Sequence, residues 1–319
     1  MSWRDALGKL LDPRLPDISL FHKFHRPPFG GGNQFLLALR SQFLKDGYRI
    51  ETNKISASSR SCLFNSFNFK RDVLQSQIHS GCRMVHRVDG PISLYRGSGL
   101  EIDQGIRDIN DEVADATVFQ SHYSQKAHEG MDLSFTNPVV ITNAVDLSIF
   151  SPAVSRRPSN KIRLISTSWS DNPRKGAATY KWLEGTLDWK RFEYTFVGRS
   201  AEHFDRIRTI RAQGSRKLAR ILTEHDVYVT ASENDPCSNA LIEALSCGLP
   251  TIYLRSGGHP EIVGDAGWGF GDKEELVGIL DRVPDEIGVK REAIRVPSLA
   301  ETAKAYLKVM GLSDEDAGT

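Results

Sequence analysis

Two acidic residues, Asp235 and Glu243, are separated by seven residues within the segment 227–254, VYVTASENDPCSNALIEALSCGLPTIYL. Short apolar runs at its two ends predict strands, and the apolar stripe between them predicts a helix that ends at Gly248 and Pro250. The start of such a helix carries free N–H groups and the positive end of the helix dipole. Because phosphate groups bind at such positions, the segment predicts an anion site with two carboxylates beside it.

The same residues also fit structural roles. Pro236 suits a first helical turn, and the side chain of Asp235 or Ser238 could cap the helix by accepting bonds from its free N–H groups. Glu243 could be a solvated residue of the helix. Local evidence therefore leaves both ligand binding and capping open for Asp235.

The composition predicts a globular chain of two domains. Its 319 residues, 39% of them hydrophobic, can bury two medium-sized cores. Because 41 Lys and Arg residues balance 40 Asp and Glu residues, no overall charge favours nucleic acid or an anionic membrane. No apolar run is long enough to cross a bilayer, and residues 1–17 lack the apolar core of a signal peptide. Residues 3–11 could form an amphipathic helix, which would more often pack on its own domain than on lipid.

The four cysteines show neither metal-ligand spacing nor the pattern of a disulfide framework. We predict reduced thiols in a cytoplasmic protein, with Cys237 as a small filler residue. The acidic residues at the C-terminus have no metal-ligand context, so no metal site is predicted.

Alternating apolar runs and amphipathic stretches predict two successive α/β halves. The first half has strands in ISLFHKF, SCLFNS, RMVHRVDG, ATVFQS and PVVITN, and a glycine-rich turn leads into the helix and strand of NQFLLALRSQFLKDGYRI. A stretch rich in Pro, Ser and Arg then predicts a linker. The predicted parts are an N-terminal domain over 1–150, a linker over 151–161, a C-terminal domain over 162–296, a helix over 297–311 and an acidic tail over 312–319.

Two α/β halves imply two parallel sheets, each covered by helices on both faces. If these domains face each other, the carboxyl edges of both sheets meet in a central cleft, and ligands bind at such edges.

On these motifs the chain resembles the retaining glycosyltransferases of the GT-B fold, specifically glycosyltransferase family four. The acidic pair of that family corresponds to Asp235 and Glu243, although the first position is usually glutamate. STSWSDNPRKG resembles the phosphate-binding helix start of the family, in which Lys175 fits the lysine that contacts the donor diphosphate. The arginine that often stands five residues earlier is Ser170 here, so Arg174 is a further candidate for this charge.

The N-terminal half carries weaker matches. Gly30, Gly31 and Gly32 resemble the glycine loop of the family, whose backbone approaches the ligand closely. His86, in HRVDGP, stands where many relatives have a histidine that faces the donor sugar, and a structural histidine is the alternative. VITNAVDLSIFSP resembles the domain junction of the family. The segment 198–226 looks shorter than the nucleotide-base region of relatives.

The resemblance implies transfer of a sugar from a nucleotide-diphosphate sugar, bound by the C-terminal Rossmann-like domain, to a glycan, lipid-linked or other hydroxyl acceptor, bound by the N-terminal Rossmann-like domain. It further implies retention of anomeric configuration and no metal or other cofactor. Asp235 would contact hydroxyls of the transferred sugar, and Glu243 those of the ribose. The implied catalytic residues are Asp235 and His86, and the implied donor-binding residues are Lys175, Arg174, Glu243, Cys237, Ser238, Asn239, Gly198, Gly31 and Gly32.

Three other functions stay open. A catalytically silent module could keep the fold and bind a nucleotide sugar or glycan, and a nucleotide-sugar epimerase could share the architecture. Two close carboxylates could also serve glycoside hydrolysis, although a pair on a helix beside a phosphate site argues against it. The expected partners are a nucleotide sugar and an acceptor, without nucleic acid. A cytoplasmic location is expected, and a peripheral contact with the inner face of the membrane is compatible with it.

Overall fold

The computed structural model describes residues 15–26, 30–154 and 159–312. These residues form two parallel sheets of six strands each, with helices on both sides. The predicted amphipathic helix at 3–11, residues 155–158 of the predicted linker and residues 313–319 of the predicted acidic tail lie outside the described residues.

The first sheet has the strand order β2-β1-β3-β4-β5-β6, and all neighbouring strands are parallel. The sequence predicted all six strands. The four inner strands are almost entirely buried, and strands buried on both faces are nearly continuous apolar runs. The strands are β1 (Ile18–Phe21), β2 (Ile50–Thr52), β3 (Ser61–Asn65), β4 (Arg83–Val88), β5 (Ala116–Phe119) and β6 (Pro138–Val140). The helices are α1 (Gly31–Lys45), α2 (Arg71–Gln75), α3 (Ile92–Arg96), α4 (Leu100–Val113) and α5 (His122–Glu129).

The second sheet has the strand order β12-β11-β10-β7-β8-β9 and is also parallel throughout. The segment 198–226, which looked short from the sequence, contains a strand over 208–210 and a helix over 215–223. The strands are β7 (Ile162–Ser168), β8 (Phe192–Gly198), β9 (Arg208–Ile210), β10 (Val227–Thr230), β11 (Thr251–Leu254) and β12 (Gly267–Phe270). The helices are α6 (Ala177–Thr186), α7 (Ser215–Thr223), α8 (Asn239–Ser246), α9 (His259–Val263) and α10 (Lys273–Glu292).

The last helix, α11 (Leu299–Val309), packs on the N-terminal domain. Its buried Tyr306 and Leu307 share one apolar core with Ile18 and Phe35. The chain therefore crosses back from the second domain to the first, and α11 completes the core beside α1.

We expect Ser298→Ala to lower the free energy of unfolding by about 1 kcal/mol. The Ser298 hydroxyl accepts a bond from the Glu301 amide at 3.1 Å, and the Glu301 carboxylate accepts one from the Ser298 amide at 2.9 Å, so two free N–H groups of α11 are satisfied. Denaturant titration measures the change. Ser215→Ala is the control, because Gly214 occupies the N-cap of α7; equal effects of the two substitutions would contradict the prediction.

The two domains also contact each other across the cleft. Gly90, after β4, lies against Pro236, since a Cβ built on Gly90 would be 2.8 Å from the proline ring. The side-chain amide of Asn239 donates to the Gly31 carbonyl at 2.6 Å. Glu261 of α9 accepts bonds from the amides at the start of α5. The two sheets thus face each other across a central cleft, as the sequence predicted.

Among the described residues, no helix is both long and apolar enough to cross a membrane. The same part of the chain holds no group of three or more His, Cys, Asp or Glu side chains that could bind a metal ion. All four cysteines are buried thiols, and none of them forms a disulfide.

Candidate active site

A cavity of about 410 Å³ lies between the carboxyl edges of the two sheets. The glycine loop, Asp89 and Gln120 line it from the N-terminal domain, and the ends of β7 and β10 with the start of α8 line it from the C-terminal domain. Eight of the predicted site residues meet here: Asp235, Lys175, Glu243, Cys237, Ser238, Asn239, Gly31 and Gly32.

Lys175 and Asp235 form an ion pair in this cavity, with Nζ and Oδ2 2.8 Å apart. Their side chains are 21% and 11% exposed. Burial opposes both charges, but each charge stabilises the other. The net result raises the pKa of Lys175 and lowers the pKa of Asp235. The cavity therefore contains a paired ammonium and carboxylate, both ionised at neutral pH.

A short 3₁₀ turn, Pro173–Lys175, positions the lysine. Gly176 follows it with φ +84°, and a Cβ there would lie 2.6 Å from the Cβ of Ala231. Only glycine allows this close approach of the turn to the end of β10. From the opposite domain, the Tyr95 ring lies 4.9 Å from Nζ of Lys175, so both domains contact the ammonium.

The start of α8 resolves the capping question. Ser238 is the N-cap, and its hydroxyl accepts a bond from the Leu241 amide at 3.4 Å. Pro236 precedes the helix, which corrects its predicted place in the first turn. Asn239 and Ala240, the first two helical residues, both line the cavity. Because the first amides of a helix have no intrahelical partner, this helix start can donate to an anion.

Cys237 is buried beside this helix start, and burial raises the pKa of its thiol to about 12. A thiol with this pKa is protonated at neutral pH, so it lacks the thiolate of a nucleophile. This agrees with the prediction of a filler residue.

Glu243 lies one turn into α8, with its side chain in the cavity wall. Burial raises the pKa of its carboxyl to about 8. In the described part of the chain, no hydrogen bond or ion pair engages this carboxyl. Hydroxyl groups of a ligand would supply the donors that a carboxylate requires in such a place.

His86 does not reach the cavity. It is fully buried in β4, stacked on Phe64 with ring centroids 4.3 Å apart. Its ring nitrogens contact Asn110 and the Ser66 carbonyl, and burial lowers its pKa to about 3. The catalytic assignment of His86 is therefore corrected to a structural one, the alternative that the sequence had left open.

Two predicted donor-binding residues also lie away from the cavity wall. Arg174 points to the N-terminal domain, where its guanidinium donates to the Leu94 carbonyl at 2.8 Å. Gly198 ends β8 with φ +126°, and a Cβ there would lie 1.8 Å from the backbone carbonyl oxygen of Ser168. Arg174 therefore bridges the domains, and Gly198 lets the ends of β7 and β8 approach each other.

Asp89, Trp169 and Arg199 also line the cavity but were not among the residues predicted from the sequence. Asp89 follows β4 and lines the cavity from the N-terminal side. Trp169 and Arg199 line it from the C-terminal domain, and Arg199 donates to the Trp169 carbonyl at 3.1 Å. An Asp-Gly pair directly after a buried strand was the signal for Asp89, because such positions lie at the carboxyl edge of a parallel sheet.

Two parallel sheets that face each other across a central cleft are the architecture of the GT-B fold. Residues 185–283 match the family model of glycosyl transferases group 1. Over 147 residues, or 42% of its length, the chain is 29% identical to one subunit of the phosphatidylinositol N-acetylglucosaminyltransferase of Arabidopsis thaliana. The match spans only 33% of the length of that relative.

Solved structures of the same architecture cover nearly the whole chain. Sucrose-phosphate synthase from Thermosynechococcus elongatus superposes with a TM-score of 0.70 at 14% identity, over 95% of this chain and 96% of its own. HepE from Anabaena, in complex with UDP-glucose, superposes with a TM-score of 0.64 at 14% identity. The superposition covers 94% of this chain and 98% of the HepE chain. The predicted GT-B fold and the predicted resemblance to group 1 glycosyltransferases are thus confirmed, while the narrower assignment to family four stays a prediction.

Proposed function

We propose that this protein transfers a sugar from a nucleotide-diphosphate sugar to a hydroxyl acceptor. The observation that carries the proposal is the Lys175–Asp235 pair at the start of α8, with Glu243 in the same cavity. This arrangement places a cation and helix amides beside two carboxylates, which suits a diphosphate joined to two groups that bear hydroxyls.

Each residue has a separate task in the proposed reaction. Lys175 and the first amides of α8 bind the diphosphate and stabilise its negative charge as the bond to the sugar breaks. Asp235 accepts bonds from hydroxyls of the transferred sugar and stabilises the positive charge that develops on it. Glu243 accepts bonds from the ribose hydroxyls. We further propose retention of configuration and a metal-independent reaction, because the lysine and the helix start can supply the positive charge that the diphosphate requires.

The direct test is nucleotide release from a panel of nucleotide sugars, with and without an acceptor extract. UDP-glucose is the first donor to try, because HepE was solved in complex with it. Acceptor-dependent release is expected. Sugar isomerisation without release would instead indicate an epimerase.

Binding without release would indicate the second candidate, a catalytically silent module. The observation that favours this candidate is Ser170, which lines the cavity where the resemblance leads us to expect an arginine. The nature of the acceptor, the cytoplasmic location and the peripheral membrane contact stay predictions from the sequence.

We expect the affinity for UDP-glucose to rise with pH and to level off near pH 8. In the free protein, Glu243 is protonated below its pKa of about 8. Ribose hydroxyls that donate to the carboxylate favour its charged form, so the pKa is lower in the complex, and binding releases a proton. Affinity therefore rises by up to about tenfold per pH unit below pH 8.

Calorimetric titration of UDP-glucose between pH 6 and pH 9, in buffers of different ionisation enthalpy, measures both the affinity and the proton release. UDP-glucose is preferred to UDP because its phosphates do not titrate in this range. The Glu243→Gln variant should bind with an affinity that is independent of pH. The same pH dependence in both proteins would contradict the assignment of Glu243.

A further inference from the structure

A buried ion pair on the N-terminal wall of the cavity has no task in the reaction described above. Arg87, at the end of β4, is fully buried, and its Nη1 lies 2.8 Å from Oδ1 of Asp89. The Asp89 side chain is 26% exposed and lines the cavity. Burying a guanidinium is costly unless it is paired and hydrogen-bonded. This wall of the cavity is therefore built around the Asp89 carboxylate.

A network of side chains fixes the orientation of this pair. Arg87 also donates to Asn65 at 2.7 Å and to Asn143 at 3.1 Å. Gln120 donates to Oδ1 of Asp89, which therefore accepts two bonds. Among the described residues, Oδ2 has only a long contact, 3.4 Å from the side-chain amide nitrogen of Asn65. Because a carboxylate oxygen can accept two bonds, Oδ2 keeps capacity for a donor from a ligand.

Asp89 lies near the part of the cleft where we place the transferred sugar, beside Asp235. Gly90, the next residue, lies against Pro236, which is adjacent to Asp235 in the chain. Gly32 of the glycine loop borders the carboxylate, and a Cβ there would be 3.9 Å from Oδ1 and 4.0 Å from Oδ2. A ligand group at Asp89 would therefore lie beside the glycine loop and close to the junction of the two domains.

We propose that Asp89 binds the acceptor by accepting a hydrogen bond from one of its hydroxyls at Oδ2. This inference rests on the proposed function. Lys175, Asp235 and Glu243 of the C-terminal domain serve the donor, so the carboxylate on the opposite wall is available to the second substrate. A fixed anion repels phosphates and carboxylates, so the group that it binds is an uncharged polyhydroxylated ring.

The test uses the full chain saturated with UDP and a panel of methyl glycosides as acceptor probes. Saturation-transfer NMR measures the dissociation constant of each glycoside. Asp89→Asn should weaken glycoside binding by about 10- to 100-fold, the usual effect of losing a hydrogen bond to a charged group. UDP affinity should change little. Asp108→Asn, at an exposed position of α4, is the matched control.

A second variant avoids the risk that Arg87 loses its partner and the protein fails to fold. Gly32→Ala keeps the ion pair but places a methyl group beside both oxygens of Asp89. It should also weaken glycoside binding. Gly105→Ala should not, because its added Cβ meets no described atom within 4 Å apart from its chain neighbours and the backbone of its own helix.

The inference is overturned if the folded Asp89→Asn and Gly32→Ala variants bind glycosides like the wild-type protein. It is also overturned if the UDP-loaded wild-type protein binds no glycoside of the panel. Nucleotide binding is measured first with UDP, ADP and GDP, because the absence of binding to all three in the wild-type protein would instead contradict the proposed function.

Discussion

Replacing Lys175 with alanine should weaken UDP binding by about two orders of magnitude or more. The substitution removes the ammonium that we assign to the diphosphate, a charge-assisted contact. It also leaves the Asp235 carboxylate, which lies 2.8 Å from Nζ in the wild-type protein, without its cation and facing the phosphates, so repulsion adds to the loss. Calorimetric titration with UDP measures the effect. Uridine, which has no phosphate, should bind both proteins alike.

The control for this experiment is Lys190→Ala, at an exposed lysine of the same domain. Thermal unfolding of each variant establishes that the fold is intact. If the Lys175→Ala variant bound UDP with wild-type affinity, the diphosphate could not lie at the lysine, and the assignment of this end of the cavity would be wrong.

Replacing Asp235 with alanine should lower turnover by about two or three orders of magnitude while donor affinity changes much less. The carboxylate that we assign to the transferred sugar is lost, so the developing positive charge has no partner in the transition state. At the same time, Lys175 is freed from its ion pair and keeps a full charge for the diphosphate. This substitution and the substitution of Lys175 should therefore separate the rate of reaction from donor binding.

Steady-state kinetics and UDP-glucose titration of the same protein measure the two quantities. Asp205→Ala, at an exposed carboxylate of the C-terminal domain, is the control. Asp235→Glu, which restores the usual residue of the resembled family, should keep more activity than Asp235→Ala. Wild-type turnover of the alanine variant would contradict the assignment.

The helix α10 and the strand β12 were not predicted from the sequence. The buried face of α10 consists of Leu276, Ile279, Leu280 and Val283, which have helical spacing, but Pro284 directly after them suggests an interruption. β12 has the sequence GWGF, and its two glycines have low strand propensity. Pairing with β11 along its whole length stabilises this strand, and that contact is not local in sequence.

The catalytic assignment of His86 failed for a different reason. His86 and Asp89 are three residues apart at the end of one strand, and the composition of HRVDGP does not show which residue lies inside the sheet. The register of β4 between β3 and β5 places His86 in the interior and Asp89 after the last strand residue, at the carboxyl edge. The position of a residue along the strand thus decides whether its side chain lies in the core or in the cleft.

By itself, the sequence determined the alternation of strands and helices, the helix start after β10, and the lysine and two acids beside it. These features depend on local apolar patterns, helix-terminal residues and short spacings, which are properties of neighbouring residues. Only the tertiary structure decided that Lys175 pairs with Asp235, that Arg87 fixes Asp89 opposite them, and that α11 returns to the first domain. These contacts join residues far apart in the chain, and their formation depends on how the two sheets face each other rather than on any local preference.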